Sequence, residues 1–94
     1  MSELDKLEEY LKEHDIPYER IDMDEEGIVS NRHQILVKDK NGVAIWDAIC
    51  HFGSYGYKDG LLEIMGTIVK PKDGDTVVGW LTAEDIIKRI EGEE

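Results

Sequence analysis

Cysteine is almost absent from the 94-residue chain. Cys50 stands alone, so neither an internal disulfide nor a multi-cysteine zinc site can form, and a lone thiol agrees with a reducing compartment. Long apolar runs are missing as well. None approaches the roughly 20 residues that a membrane-spanning helix requires, and the N-terminal MSELDKLEEYLKEH has neither the basic start nor the apolar core of a secretion signal. A cytoplasmic protein without a membrane segment is expected. Basic residues are scarce: 11 lysines and arginines face 22 acids, for a formal net charge of −11, and residues 1–26 hold eleven of the acids against Lys6, Lys12 and Arg20. Such a chain repels phosphates, which disfavours direct nucleic-acid binding and makes a basic protein the better expected partner. Aromatics are few, one Phe, two Trp and four Tyr, yet 40% hydrophobic and 35% charged residues suit a folded chain rather than a disordered one. Two separate cores would each be too small, so residues 1–94 are expected to form one domain.

What is present reads as α+β. Ser2 caps a first helix, 3–14, with Asp5 as the reciprocal acid and Leu4, Leu7, Leu11 and His14 along one stripe; Pro17 ends it, leaving Asp15 and Ile16 as connector. Tyr18 to Met23 alternate as a short edge strand before the acidic turn DEEG. Two β-rich runs, about 32–39 and 43–52, flank Asn41-Gly42, a pair that favours positive φ, and predict a hairpin. With those two as the turn residues, Lys40 faces Val43 and every cross-strand pair has numbers that add to 83. One face then collects His33, Ile35, Val37, Trp46, Ala48 and Cys50, nearly all apolar and suited to the core. The other collects Arg32, Gln34, Leu36 and Lys38 opposite His51, Ile49, Asp47 and Ile45, a mixture that predicts partial cover. The glycine-rich GSYGYKDG leads into LLEIMG, whose length permits either a short helix or a strand; a middle helix over 55–65, closed by Gly66, is the favoured expectation. KPKDGD reads as a turn and TVVGWL as a last strand with a bulge at Gly79. Thr82 and Asp85 cap a final helix, 83–91, with Ala83, Ile86, Ile87 and Ile90 inward, Glu84–Lys88 and Asp85–Arg89 as ion pairs, and EGEE as a frayed tail. The three helices are expected on one face of an antiparallel sheet, and a homodimer burying Trp46, Trp80 or the mixed face is one way the remainder is covered.

Several constellations bear on chemistry. His33 and Cys50 fall opposite each other, a pairing that can activate a thiol, but the face offers neither oxyanion donors nor an orienting carboxylate, and a buried cysteine packs as a small hydrophobe. His14, His33, Cys50 and His51 carry metal-ligand groups, yet adjacent strand residues point to opposite faces and no close ligand pair results, so no metal or other cofactor is expected. Asp47 and His51 share a face about 13 Å apart, too far for a relay. No catalytic residue is assigned. The loop HFGSYGYKDG is the best candidate surface. Tyr55 and Tyr57 on a glycine frame suit contact with a partner at small entropic cost, a helix starting at Ser54 would offer free N–H groups to an anion, and His51 and Arg32 border the loop. The acids of the first helix and of DMDEE form a row able to imitate a phosphate backbone.

The stretches WDAICHFGSYGYKDGLLEIMG and VVGWLTAEDIIKRI, about the C-terminal half, resemble small uncharacterised proteins carried by phages and prophages of Gram-positive gut bacteria. The resemblance implies no activity, cofactor or catalytic residue; it implies an accessory role exerted by binding a host or viral protein. The expected function is therefore non-catalytic binding or regulation of a protein, through Arg32, His51, Ser54, Tyr55 and Tyr57 with the first-quarter acids as electrostatic support. The alternatives are a small-ligand or anion-binding module using the same loop, and an acidic mimic of nucleic acid that blocks a basic protein site.

Overall fold

The computed structural model describes residues 1–24 and 31–92. Glu25, Glu26 and Gly27 of the acidic turn, and the last two residues of the tail, lie outside them. In chain order the elements are α1 (Glu3–Glu13), β1 (Tyr18–Asp24), β2 (Asn31–Lys38), β3 (Ala44–Ile49), β4 (Leu62–Gly66), β5 (Val77–Leu81) and α2 (Ala83–Ile90), with short 3-10 turns at Tyr57–Asp59 and Pro71–Asp73. The strands form one antiparallel sheet in the order β1-β2-β3-β4-β5, a meander in which every strand pairs with its neighbour in sequence.

Both helices start on reciprocal caps. Ser2 Oγ accepts from the Asp5 N–H while Asp5 accepts from the Ser2 N–H, and Thr82 and Asp85 repeat the exchange at α2, so two orphan donors are satisfied at each start. Leu4, Leu7 and Leu11 of α1 and Ala83 and Ile86 of α2 are buried against Ile35, Val37, Trp46, Ala48, Leu62 and Ile64, which places both helices on the same sheet face. His14 does not continue the apolar stripe. It is the exposed residue after α1, stacked on Tyr10 at 4.0 Å, and the chain leaves through Asp15 at φ 53° before Pro17.

The hairpin register holds over its centre, where Gln34, Ile35, Leu36 and Val37 face Ile49, Ala48, Asp47 and Trp46. The tip differs from the expected two-residue turn. Gly42 N–H donates to Asp39 O, Asp39 N–H donates to Val43 O, and Lys38 faces Ala44, so Lys40 and Asn41 are the central residues and Gly42, at φ 82°, makes a bulge. Asp39 is the cause: its carboxylate accepts from the N–H groups of both Asn41 and Val43 and so organises a longer loop. An irregularity between Val37 and Lys38 then restores the central register, and Ile35, Val37, Trp46 and Ala48 all reach the core.

The middle helix expected over 55–65 is absent; the three-residue turn Tyr57–Asp59 and strand β4 replace it. Leu62 and Ile64 are buried while Glu63 and Met65 turn to the other face, a period of two that outcompetes helical spacing because the free edge of β3 supplies a partner. Gly66 closes a strand instead of a helix, at φ 110°, where a Cβ would lie 2.5 Å from Ile45 O. At α2, Glu84–Lys88 forms at 3.8 Å, while Arg89 reaches across to Asp73. Arg89 is 8% exposed, donates two hydrogen bonds to Asp73 at 2.9 and 3.0 Å and a third to Ile68 O, and thereby pins the turn after β4 to the helix.

Candidate functional site

The loop between β3 and β4 is built from reciprocal backbone contacts. His51 N–H donates to Ser54 Oγ and Ser54 N–H returns a bond to His51 O, which turns the chain directly after the strand. Tyr55 N–H donates to Glu63 Oε1 at 2.9 Å, and Tyr55 O accepts from Trp80 N–H at 3.3 Å, so the loop is tied to both β4 and β5. Two glycines make this approach possible. A Cβ on Gly56, at φ 96°, would meet Leu61 Cβ at 2.9 Å and Trp80 Cα at 3.0 Å, and one on Gly79 would overlap Tyr55 Cβ. Where β5 receives the loop it carries the expected bulge, between the pairs Leu62–Leu81 and Ile64–Val78. Trp80 sits in that bulge at φ 54°, a left-handed conformation that costs an L side chain about 1–2 kcal/mol.

The result is a surface on which four of the seven aromatic residues meet. Tyr55 lies nearly parallel to Trp80, ring centroids 5.1 Å apart, and Phe52 meets Tyr57 edge to face at 6.2 Å. Phe52, Tyr55 and Trp80 are 55, 52 and 59% exposed. The four rings, with Ser54, Lys58 and Asp59, line a cavity of about 370 Å³. Sequence reasoning missed Phe52 and Trp80 as members of the site. The signal available was the bulge at Gly79, because a bulge re-aims the side chain that follows it.

Of the expected binding residues, Ser54, Tyr55 and Tyr57 come together here. Arg32 and His51 do not line the cavity. Arg32 is exposed on β2 and its Nε donates to Gln34 Oε1, which begins a polar ladder, since Gln34 Nε2 donates to Asp47 Oδ2 at 2.7 Å. Burial pushes the Asp47 carboxyl above its ordinary range. His51 is half-buried, and its Nδ1 is enclosed without a hydrogen-bond partner. The helix start at Ser54 on which an anion site would depend is not formed; the chain continues from there into the short turn Tyr57–Asp59.

A second concavity, about 690 Å³, adjoins the first and shares Tyr57 and Asp59 with it. It lies against α1 and includes Glu3, Asp5, Arg20, Asp22, His33 and Cys50. His33 and Cys50 are cross-strand neighbours, joined by Cys50 N–H to His33 O at 2.9 Å. Contrary to expectation a carboxylate does orient the imidazole: Asp22 Oδ1 is 2.7 Å from His33 Nδ1. Burial nevertheless pushes the Cys50 thiol up, away from the thiolate. Arg20 binds Asp5, Glu8 and Asp22 at 2.8, 3.1 and 2.9 Å, while Glu3 accepts from the N–H of Ala83 and Glu19 pairs with Lys38. Each of these carboxylates thus has a partner within the chain.

Among the described residues no group of three His, Cys, Asp or Glu is placed to hold a metal ion, and no helix is long and apolar enough to cross a membrane. Fold and site together define a small α+β protein built on a five-stranded antiparallel meander, with an aromatic surface where one loop packs on a bulged edge strand. Comparison with protein-family models, curated proteins and solved structures found no match.

Proposed function

We propose that the protein is a non-catalytic binding protein that engages a protein partner through Phe52, Tyr55, Tyr57 and Trp80. The observation that carries this reading is three large aromatic rings, each more than half exposed, two on the β3–β4 loop and the third, Trp80, on the β5 bulge to which that loop is tied. Exposed apolar patches are uncommon on small soluble domains without a use, and Tyr and Trp are enriched where proteins bind each other because they supply much contact area with few rotatable bonds. The left-handed backbone at Trp80 supports the reading. Its cost gains nothing for the core, since the indole faces solvent, and strained residues of this kind cluster at functional positions. The net charge of −11 favours a basic partner surface. The resemblance of residues 46–66 and 77–90 to small phage and prophage proteins supports an accessory role of this type.

Affinity capture from a bacterial lysate, followed by titration with the purified captured protein, tests the proposal. The wild type is expected to bind at least about tenfold more tightly than a folded variant carrying Tyr55→Ala and Trp80→Ala, as truncating a hot-spot residue, a class in which Trp and Tyr are enriched, costs about 2 kcal/mol or more. Unchanged affinity in that variant overturns it.

A further inference from the structure

Resting on that reading, the geometry points to the chemistry of the partner. We infer that the cavity between Phe52, Tyr55, Tyr57 and Trp80 receives a basic side chain of the partner protein, the guanidinium of an arginine or the ammonium of a lysine, with Asp59 as its counter-charge. Aromatic faces carry partial negative charge, and a cation within about 6 Å of a ring centroid is attracted to them, most strongly by Trp and next by Tyr. Here the cavity is flanked by two ring pairs rather than by one residue, so a cation entering it has Trp and Tyr rings within reach together.

Charge selects the same occupant. The charged residues lining this cavity are Lys58 and Asp59, both exposed. Asp59 also borders the neighbouring concavity, where Glu3, Asp5 and Asp22 stand with Arg20 as the guanidinium. Asp59, which both concavities share, would meet the partner's basic side chain beside the rings, and the net charge of −11 would draw that side chain in. An anionic ligand would have to approach a molecule of charge −11 with Lys58 as its local attraction. A neutral apolar ligand would gain nothing from Asp59. Lys58 opposes an incoming cation, and this makes the two lining charges a matched pair of controls.

The test uses the full chain, with Nα-acetyl-arginine amide as probe and Nα-acetyl-citrulline amide as its neutral isostere, each titrated at physiological salt. The indole N–H resonances are the readout, because Trp80 is exposed and Trp46 is buried in the core, so Trp46 reports whether a variant is folded. The arginine derivative is expected to shift the Trp80 resonance and to bind about tenfold more tightly than the citrulline derivative. Asp59→Asn should weaken arginine binding and Lys58→Gln should tighten it, each about threefold. Trp80→Gly, which suits the backbone at that position, should abolish discrimination while leaving the Trp46 resonance in place.

Equal binding of the two probes overturns the inference in favour of an uncharged ligand. Weaker binding on Lys58→Gln, together with a Trp80 shift on adding inorganic phosphate, overturns it in favour of an anion. An arginine-induced shift that survives Trp80→Gly elsewhere in the spectrum, with none at the loop, marks general attraction to an acidic protein and overturns it as well. Capture of a partner that depends on Tyr55 and Trp80, with arginine and citrulline indistinguishable, removes the cation and keeps the binding surface. Discrimination of the probes with protein binding unaffected by the aromatic variant keeps the cation and removes the protein partner.

Discussion

Trp80 combines a bulky side chain, a left-handed backbone and an indole mostly in water, and each feature has a separate consequence. Substitution by glycine and by alanine both remove the ring and its stacking on Tyr55, but only glycine relieves the backbone. Trp80→Gly should therefore be more stable than Trp80→Ala by about 1 kcal/mol in urea unfolding, the reverse of the order expected at an ordinary strand position. Asp47 offers a second residue-scale experiment. Burial, its largest influence, disfavours the ionised form, so its folded-state pKa lies above that of the unfolded chain. At neutral pH that difference works against folding, and it vanishes as the pH falls through the folded-state value and the carboxyl becomes neutral in both states. Asn can accept the same hydrogen bond from Gln34. Asp47→Asn should raise the melting temperature by a few degrees at neutral pH and by progressively less in acid.

At the scale of elements, the contact between the β3–β4 loop and β5 depends on Gly79, whose place a Cβ cannot share with Tyr55. Gly79→Ala should cost about 2 kcal/mol by forced displacement of the loop, measurable by denaturant unfolding, and should reduce the Tyr55–Trp80 stacking seen by fluorescence. The attachment of α2 to the turn after β4 rests on Arg89. Arg89→Ala should lower the melting temperature by on the order of 10 °C, whereas Lys88→Ala, which loses an exposed pair at 3.8 Å, should change it little. These elements also show how much of the fold is legible in the sequence. Helix caps, the edge position of β1, the core face of the hairpin and the bulge in β5 are readable because each depends on a local signature: Ser2 with Asp5, Thr82 with Asp85, the alternation around Ile35 and Ala48, and a glycine in a strand. The hairpin tip is not, because the Asp39 side chain chooses the loop length. Strand β4 is not, because Leu62 to Gly66 fit either period and β3 decides between them. Helical spacing pairs Arg89 with Asp85, because it shows helix neighbours and hides Asp73. The aromatic surface is half legible: Tyr55 and Tyr57 lie in one glycine-rich segment, while Trp80 joins them only through sheet order.

For the whole molecule, charge and pH act in opposite directions over different ranges. Asp5, held by the Ser2 N–H and then by Arg20, and Asp73, held chiefly by Arg89, both have their carboxyls lowered to about 2. Depressed folded-state values mean that the unfolded chain takes up protons first, so the stability these groups provide is complete above about pH 4 and is lost as the pH falls toward about 2. Above that range self-repulsion of a −11 molecule prevails, and acidification toward the isoelectric point near 4.6 relieves it. Urea midpoints should therefore rise from neutral pH to a maximum in mild acid and then fall steeply, and added sodium chloride should raise the neutral-pH value. The meander has a further implication, for the route by which the chain folds. Each strand finds its partner in the next one along, so pairing can spread hairpin by hairpin with little loop entropy to overcome. The packing of the first helix on the last, where Glu3 receives the N–H of Ala83 eighty residues away, has the largest loop to close. Destabilising that contact should accelerate unfolding while leaving the refolding rate nearly unchanged.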